Sequence, residues 1–335
     1  MTTSEPANSA QPNSETHTDS PPQVNKLATD SHDTLPQRAL VIGCGYLGSR
    51  VAQAWVQQGV QVSALTRSSE TAERFRASGL APILGDVLQP ETLAALPAVD
   101  VVLYAVGYDR NSSAGKREVY VDGLRHVLAS IDGRSSERPC RLIYVSSSSV
   151  YGQSQGEWVD EQSPTEPTTE GGEICLAAER LLEHRPETIR LRLSGIYGPG
   201  RLLARIEQLQ QGLTLEGNPE AWLNLIHVDD AARAVLATAR HGSPQPLYLV
   251  SDDQPITRRD YYSQLAALVQ APVPQFAATK TGSPSEASSV HVPSRSSKNK
   301  RCRNRLLHSL LNDTLLYPTI ATGLPNAIAP DGQHR

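Results

Sequence analysis

The sequence is short of several things, and each shortage narrows what the chain can be. No run of about 18 consecutive apolar residues occurs, the minimum for a membrane-spanning helix. The first residues carry neither the basic patch nor the apolar stretch of a secretory leader. Cysteine appears four times, at positions 44, 140, 175 and 302, too dispersed for a CxxC pair or a disulfide framework. Reduced thiols and a cytoplasmic location are therefore expected. The nine histidines and four cysteines show no ligand spacing, so no metal site is expected. Lysine is scarce: 335 residues hold five, and Lys116 is the single one between positions 37 and 279.

A one-signed charge is also missing from the body of the chain. The net charge of −4 resides in residues 1–36, where Glu5, Glu15, Asp19, Asp30 and Asp33 face Lys26 alone. The other 299 residues hold 30 acids and 30 bases. That balance offers no footprint for nucleic acid or a membrane surface. The exception is the run 295–305, with six Arg or Lys in 11 residues. It lacks the interleaved aromatics of a nucleic-acid binder, so Lys298, Lys300 and Arg301 are expected to face an anionic substrate or solvent.

What is present is a globular composition, 39% apolar and 20% charged, which excludes a fibre or a wholly disordered chain. Residues 1–36 are Ser, Thr, Asn, Pro and acid without an aromatic, and are expected to be disordered. From residue 38 onward strands and helices alternate. Strands are predicted at 39–42, 60–66, 81–84, 99–106, 142–145, 188–193 and 247–250. Helices are predicted at 47–58, 70–77, 119–131, 173–184, 202–211, 229–241, 258–269 and 306–311. Apolar strands alternating with helices specify an α/β fold, a Rossmann-type doubly wound parallel sheet. The dinucleotide domain is expected over 37–200 and again over 223–252. A smaller C-terminal substrate-binding region is expected over 201–222 and 253–324, with a flexible loop at 277–297 and fraying over 325–335. No internal repeat is visible.

The strongest local signal is Gly43-Cys44-Gly45-Tyr46-Leu47-Gly48, which follows the first strand and opens the first helix. In that setting Gly43 makes the tight turn, Gly45 lets the backbone approach a pyrophosphate, and Gly48 lets helix and strand pack closely. Tyr46 and Leu47 lie in the phosphate-facing turn at the helix N-terminus. The second strand ends Thr66-Arg67-Ser68, with no acid before Glu70. A guanidinium flanked by hydroxyls suits a ribose 2′-phosphate, so NADP(H) is preferred over NAD(H), with Glu70 as the alternative ribose ligand. Asp86, after the third strand, is expected to border the adenine pocket, with a local cap as the alternative, and Ala105, near the end of the fourth strand, to bind the cofactor.

Three further stretches carry a resemblance. Ser146-Ser147-Ser148-Ser149-Val150-Tyr151-Gly152, the segment Arg192–Gly200 and Ile226-His227-Val228-Asp229-Asp230-Ala231 follow one another as in the extended short-chain dehydrogenases/reductases. With the glycine loop they span about 38–252, and the chain resembles an atypical, NAD(P)-dependent epimerase/dehydratase-like member. The resemblance implies a Ser that binds the substrate oxygen, a position filled by Ser147, and a Tyr-x-x-x-Lys pair. The pair is missing: Gly171 stands at the Tyr position and Cys175 at the Lys position, and no Tyr in the chain has Lys four residues later. Tyr151, Glu170 and Glu173 are the nearby substitutes, of which Tyr151 is the catalytic candidate. Lys116 is expected to be exposed, and His227 to cap its helix or to support the site without touching substrate.

The implied function is an oxidoreductase or epimerase/dehydratase acting on a sugar nucleotide or similar polar or anionic small molecule, through a non-standard acid–base centre. The alternative is a non-catalytic NADP(H)-binding sensor. A homodimer is compatible with either, and neither requires a nucleic acid or a membrane.

Overall fold

The computed structural model describes residues 35–109, 111–132, 140–185, 187–240, 246–277 and 299–329. The acidic segment 1–34, nearly all of the loop expected at 277–297, Lys298 and residues 330–335 lie outside the described residues. Strands β1 (Arg38–Ile42), β2 (Gln61–Thr66), β3 (Ala81–Leu84), β4 (Val101–Tyr104) and β5 (Arg141–Ser147) join Thr188–Leu193 and Leu247–Val250 in one seven-stranded sheet. From one edge the order is Leu247–Val250, Thr188–Leu193, β5, β4, β1, β2, β3, and every pairing is parallel. This is the doubly wound arrangement that the strand–helix alternation predicts.

The sheet is buried on both sides because successive strand residues feed different cores. Ala39, Val41, Val101 and Leu103 pack with helix α1 (Gly48–Gln57) and helix Val228–Arg240. Leu40, Ile42, Val102 and Tyr104 pack instead with α3 (Gly123–Asp132) and α4 (Glu170–Arg180). This period of two across fully apolar strands is what a parallel sheet demands. A third core, centred on Tyr197, Leu209, Tyr261, Leu265 and Leu324, gathers the C-terminal elements.

The helix expected over 119–131 is present and opens with a π turn, Glu118–Asp122, in which the Gly123 N–H donates to the Glu118 carbonyl. Two expectations are corrected. Residues 325–328 do not fray. They end helix Ile320–Ile328, held by a Thr319–Thr322 capping box and by the buried side chains of Ile320, Leu324 and Ala327, although Pro325 lies inside it. Lys300 faces neither substrate nor solvent. It is 4% exposed on strand Lys300–Cys302, paired with Glu157–Val159, and its ammonium donates to the Tyr151 carbonyl at 3.1 Å. Arg301 does find aromatics, because folding brings the rings of Trp158 and Trp222 within 4.8 and 5.2 Å of its guanidinium carbon. Among the described residues no helix is long and apolar enough to cross a membrane.

Candidate functional site

In an open parallel sheet the ligand crevice forms beyond the carboxyl ends of the strands, where the winding direction reverses. Here that point lies between β1 and β4, whose last paired residues are Ile42 and Tyr104. A cleft of about 690 Å³ opens there. Gly43, Gly45, Tyr46 and Leu47 form one wall. Gly43 has φ +93°, and a Cβ at this position would collide with the Ala105 carbonyl group. A Cβ on Gly48 would likewise strike the Gly43 carbonyl, so this residue closes the helix onto the turn without reaching the cleft.

The space beside Gly45 decides whether a phosphate fits. Nothing lies within 4 Å of a Cβ built there, so the turn leaves an open cradle. Helix α1 begins behind it with no side-chain cap and no acid in its first turn. Its start, which no side chain caps, and its dipole are thus left for an anion, although the Ser49 N–H donates to the Gly45 carbonyl at 2.9 Å, whereas α2 (Ser69–Ala77) and α4 are capped by Ser68 and Thr169. The residues present fit a dinucleotide pyrophosphate.

Thr66, Arg67, Asp86 and Ala105 line the same cleft. Ser68 does not line it; its hydroxyl accepts the Thr71 N–H and caps α2. Glu70, in the first turn of α2, is exposed and lies outside the lining, so the strand end presents a guanidinium and no carboxylate. Asp86 also ties its own turn, its carboxylate accepting the Leu88 N–H at 2.9 Å. Burial pushes the Cys44 thiol up to about 11, which leaves it a small apolar residue of the loop. On the far side Arg201 lines the cleft, and both Arg201 and Arg50 lie over the Tyr46 ring, whose hydroxyl donates to the Pro199 carbonyl.

Ser147 ends β5 and lines the cleft. Its Oγ accepts the Ser149 N–H at 3.1 Å, which spends a lone pair and leaves the hydroxyl hydrogen for another acceptor. Ser146, which also lines the cleft, donates to Glu179 of α4, and Glu179 is paired with Arg192 at 2.6 Å. Glu179 and Arg192 are 1% and 5% exposed, so this pairing is internal; it ties α4 to strand Thr188–Leu193, while the Ser146 bond ties α4 to β5. Cys175 faces the cleft from α4 together with Tyr120 of the π turn.

The structure does not bring Tyr151, the catalytic candidate, to the cleft. The side chain is buried, lies outside the cleft lining, and its hydroxyl accepts from Arg192 at 2.9 Å. Burial pushes its phenol up to about 12, against the pull of that guanidinium. Glu170 and Glu173 lie in the first turn of α4 and do not line the cleft. His227 is fully buried and its Nδ1 accepts the Asp229 N–H, the capping role expected of it. Lys116 was expected to be exposed; it is half-buried, and a Cβ on Gly171 would come within 3.5 Å of its Nζ. Tyr108, Tyr120 and Arg201, all cleft residues, carry no sequence motif that singles them out. The scarcity of lysine and the four-residue spacing from Lys116 to Tyr120 were the available signals.

The family described as "NAD dependent epimerase/dehydratase family" matches residues 39–250. The Escherichia coli protein YeeZ is 28% identical over 246 residues, covering 72% of this chain and 86% of YeeZ. The 2-alkyl-3-oxoalkanoate reductase of Stenotrophomonas maltophilia is 28% identical over 256 residues, 69% of this chain and 74% of the reductase. Among solved structures, a functionally unknown conserved protein from Silicibacter pomeroyi superposes with a TM-score of 0.69 at 28% identity, covering 86% of this chain and 97% of that one.

Proposed function

Because the chain belongs to the NAD dependent epimerase/dehydratase family, we propose that it is an NADP(H)-dependent oxidoreductase with a non-standard acid–base centre. Its substrate is a polar small molecule, a sugar nucleotide or similar compound, that presents a carbonyl or hydroxyl group. The observation that carries this reading is that the open glycine cradle, Arg67 and Ser147 line one cleft. A bound nicotinamide cofactor supplies or accepts two electrons as hydride.

The chain's own part is to hold, orient and exchange protons. The N-terminal N–H groups of α1 hold the pyrophosphate, and Arg67, with Thr66 beside it, meets the 2′-phosphate as a fork. The exclusion of Glu70 from the lining supports the phosphate over a bare ribose. Ser147 donates to the substrate oxygen, fixing the reacting carbon over the cleft floor. The separate core around Tyr197 and Tyr261 supports a C-terminal region that covers the substrate end. The similarity to a 2-alkyl-3-oxoalkanoate reductase supports carbonyl chemistry.

Titration calorimetry with NADPH and NADH tests the reading. Tighter binding of NADPH is expected, and no binding of either nucleotide would refute it. A second reading draws on Gly171 and Cys175, which supply neither the family's phenol nor its ammonium: a sensor that binds NADP(H) without turnover. Oxidation of NADPH in the presence of a panel of carbonyl compounds separates the two.

A further inference from the structure

A dinucleotide pyrophosphate carries a negative charge on each phosphate, and the start of α1 sets a partial charge of only about +0.5 against them. Among the described residues that line the cleft, the cations are Arg67 and Arg201. Arg67 follows β2 and meets the 2′-phosphate, which leaves Arg201 for the charges beside the glycine loop. The loop itself places this residue. The Tyr46 hydroxyl donates to the Pro199 carbonyl at 3.0 Å, and a Cβ on Gly198 would stand 2.7 Å from that hydroxyl, so the two chain segments are directly apposed. The Arg201 N–H donates to the Gly198 carbonyl at 3.2 Å, closing a turn in which Gly198 and Gly200 have φ +145° and +77°. That turn carries the Arg201 guanidinium over the Tyr46 ring, its carbon 4.7 Å from the ring centre.

Arg50 supplies the contrast. Its guanidinium also lies over Tyr46, at 4.4 Å, but it pairs with Asp229 at 3.4 Å, donates to the Tyr46 carbonyl at 2.8 Å, and does not line the cleft. Arg201 is exposed and lines the cleft, and among the described residues no carboxylate pairs with it. An aromatic face attracts a cation without neutralising it and leaves its N–H donors available. Of the two guanidinium groups on one ring, then, one is neutralised by the protein and the other is held ready for an anion.

We propose that Arg201 is an anion-binding residue of the cleft, the guanidinium that meets the pyrophosphate of the bound dinucleotide. The inference rests on the nucleotide-binding part of the reading above. A planar fork of N–H donors matches a pair of phosphate oxygens, and Tyr46 keeps that fork beside the loop that cradles them. The pyrophosphate is common to NADPH and NADH, so Arg201 adds affinity for both alike, whereas Arg67 sets the preference between them. The turn Gly198–Arg201 thereby takes part in holding the cofactor, at a distance of some 150 residues along the chain from the glycine loop.

Calorimetry on the full chain tests this. Arg201→Met is expected to weaken NADPH and NADH by the same factor, roughly tenfold or more, with their ratio as in the parent. Adenosine 2′-monophosphate, which has the 2′-phosphate and no pyrophosphate, should bind parent and variant equally. Arg201→Lys keeps a charge without the fork and is expected to fall between the two. The unliganded variants should melt where the parent does, since no described carboxylate depends on Arg201. A parent that binds neither nucleotide would overturn the nucleotide-binding reading and the inference with it. A parent that binds both, with Arg201→Met indistinguishable from it, would overturn the inference alone. So would a loss confined to NADPH or shared by adenosine 2′-monophosphate, which would assign the guanidinium to the 2′-phosphate. An anionic substrate is the other source of negative charge: unchanged nucleotide affinities, with KM raised for 2-oxobutanoate and not for 2,3-butanedione, would assign Arg201 to the substrate and overturn its place at the pyrophosphate.

Discussion

Arg192 and Glu179 meet 2.6 Å apart in the interior, one on strand Thr188–Leu193 and the other on α4. Ser146 donates to the same carboxylate and the Tyr151 hydroxyl accepts from the same guanidinium, so four residues from four segments close one polar cluster, which reaches the cleft through Ser146. A charge left alone in such a place costs far more than the pair contributes. Glu179→Ala is expected to destabilise the fold by about 3–5 kcal/mol. Tyr151→Phe removes a neutral acceptor from a charged donor and should cost about 1.5–3 kcal/mol. Urea unfolding of both variants checks the order. Tyr151→Phe should also keep its NADPH affinity, since the ring does not line the cleft; a large loss of affinity there would contradict the placement of Tyr151.

The glycine cradle predicts a variant that separates binding from folding. Gly45 has open space where its side chain would begin, so Gly45→Val should fold with a melting temperature close to the parent's. The isopropyl group would then stand in the phosphate's place. An NADPH affinity reduced at least tenfold is expected by calorimetry, corresponding to about 1.4 kcal/mol or more.

Arg67 predicts the cofactor preference. Arg67→Glu replaces the fork with a carboxylate suited to a ribose hydroxyl. The affinity for NADPH should fall roughly ten- to a hundredfold, for a lost charge-assisted contact of about 1.5–3 kcal/mol. The affinity for NADH should hold or rise. Parallel titrations of the two nucleotides give the answer, and an unchanged ratio would return the ribose to Glu70.

Asp252 predicts a pH dependence of stability. It is 1% exposed, and burial, reinforced by Asp253 and Asp230, holds its carboxyl well above the usual carboxylate range. The folded state therefore binds its proton more tightly than the unfolded chain does. The resulting stabilisation is complete below the unfolded value of about 3.9 and is lost as pH rises from there through the folded value. Asp252→Asn keeps the neutral shape and should remove this loss. Melting temperatures across the acid-to-neutral range should fall less steeply with rising pH in the variant than in the parent.

The sheet was legible because its strands are short apolar runs between helical segments, and the order of glycine loop, Thr66-Arg67 and Ser147 around one cleft follows from that topology. The two-residue and three-residue strands such as Trp222–Leu223 and Gly195–Tyr197 were not legible, since segments that short have no period to detect. Tyr151 was misread because its proximity to the serine run along the chain says nothing of which face it takes; the turn Ser148–Val150 carries it to Arg192 instead. Lys116 was misread because the helix that begins there has an exposed-looking pattern, Lys-Arg-Glu, and the approach of α4 is a tertiary fact.

The π turn at Glu118–Asp122 encloses one residue more than an α turn would. Each residue of an α-helix advances the winding by about 100°. A chain one residue shorter at this point could thus wind regularly into α3, yet would swing everything before it, Lys116 included, by more than a quarter of a revolution away from Gly171. The place of that ammonium is in this sense a matter of phase: it depends less on which residue stands at position 116 than on a single extra step counted between it and Gly123.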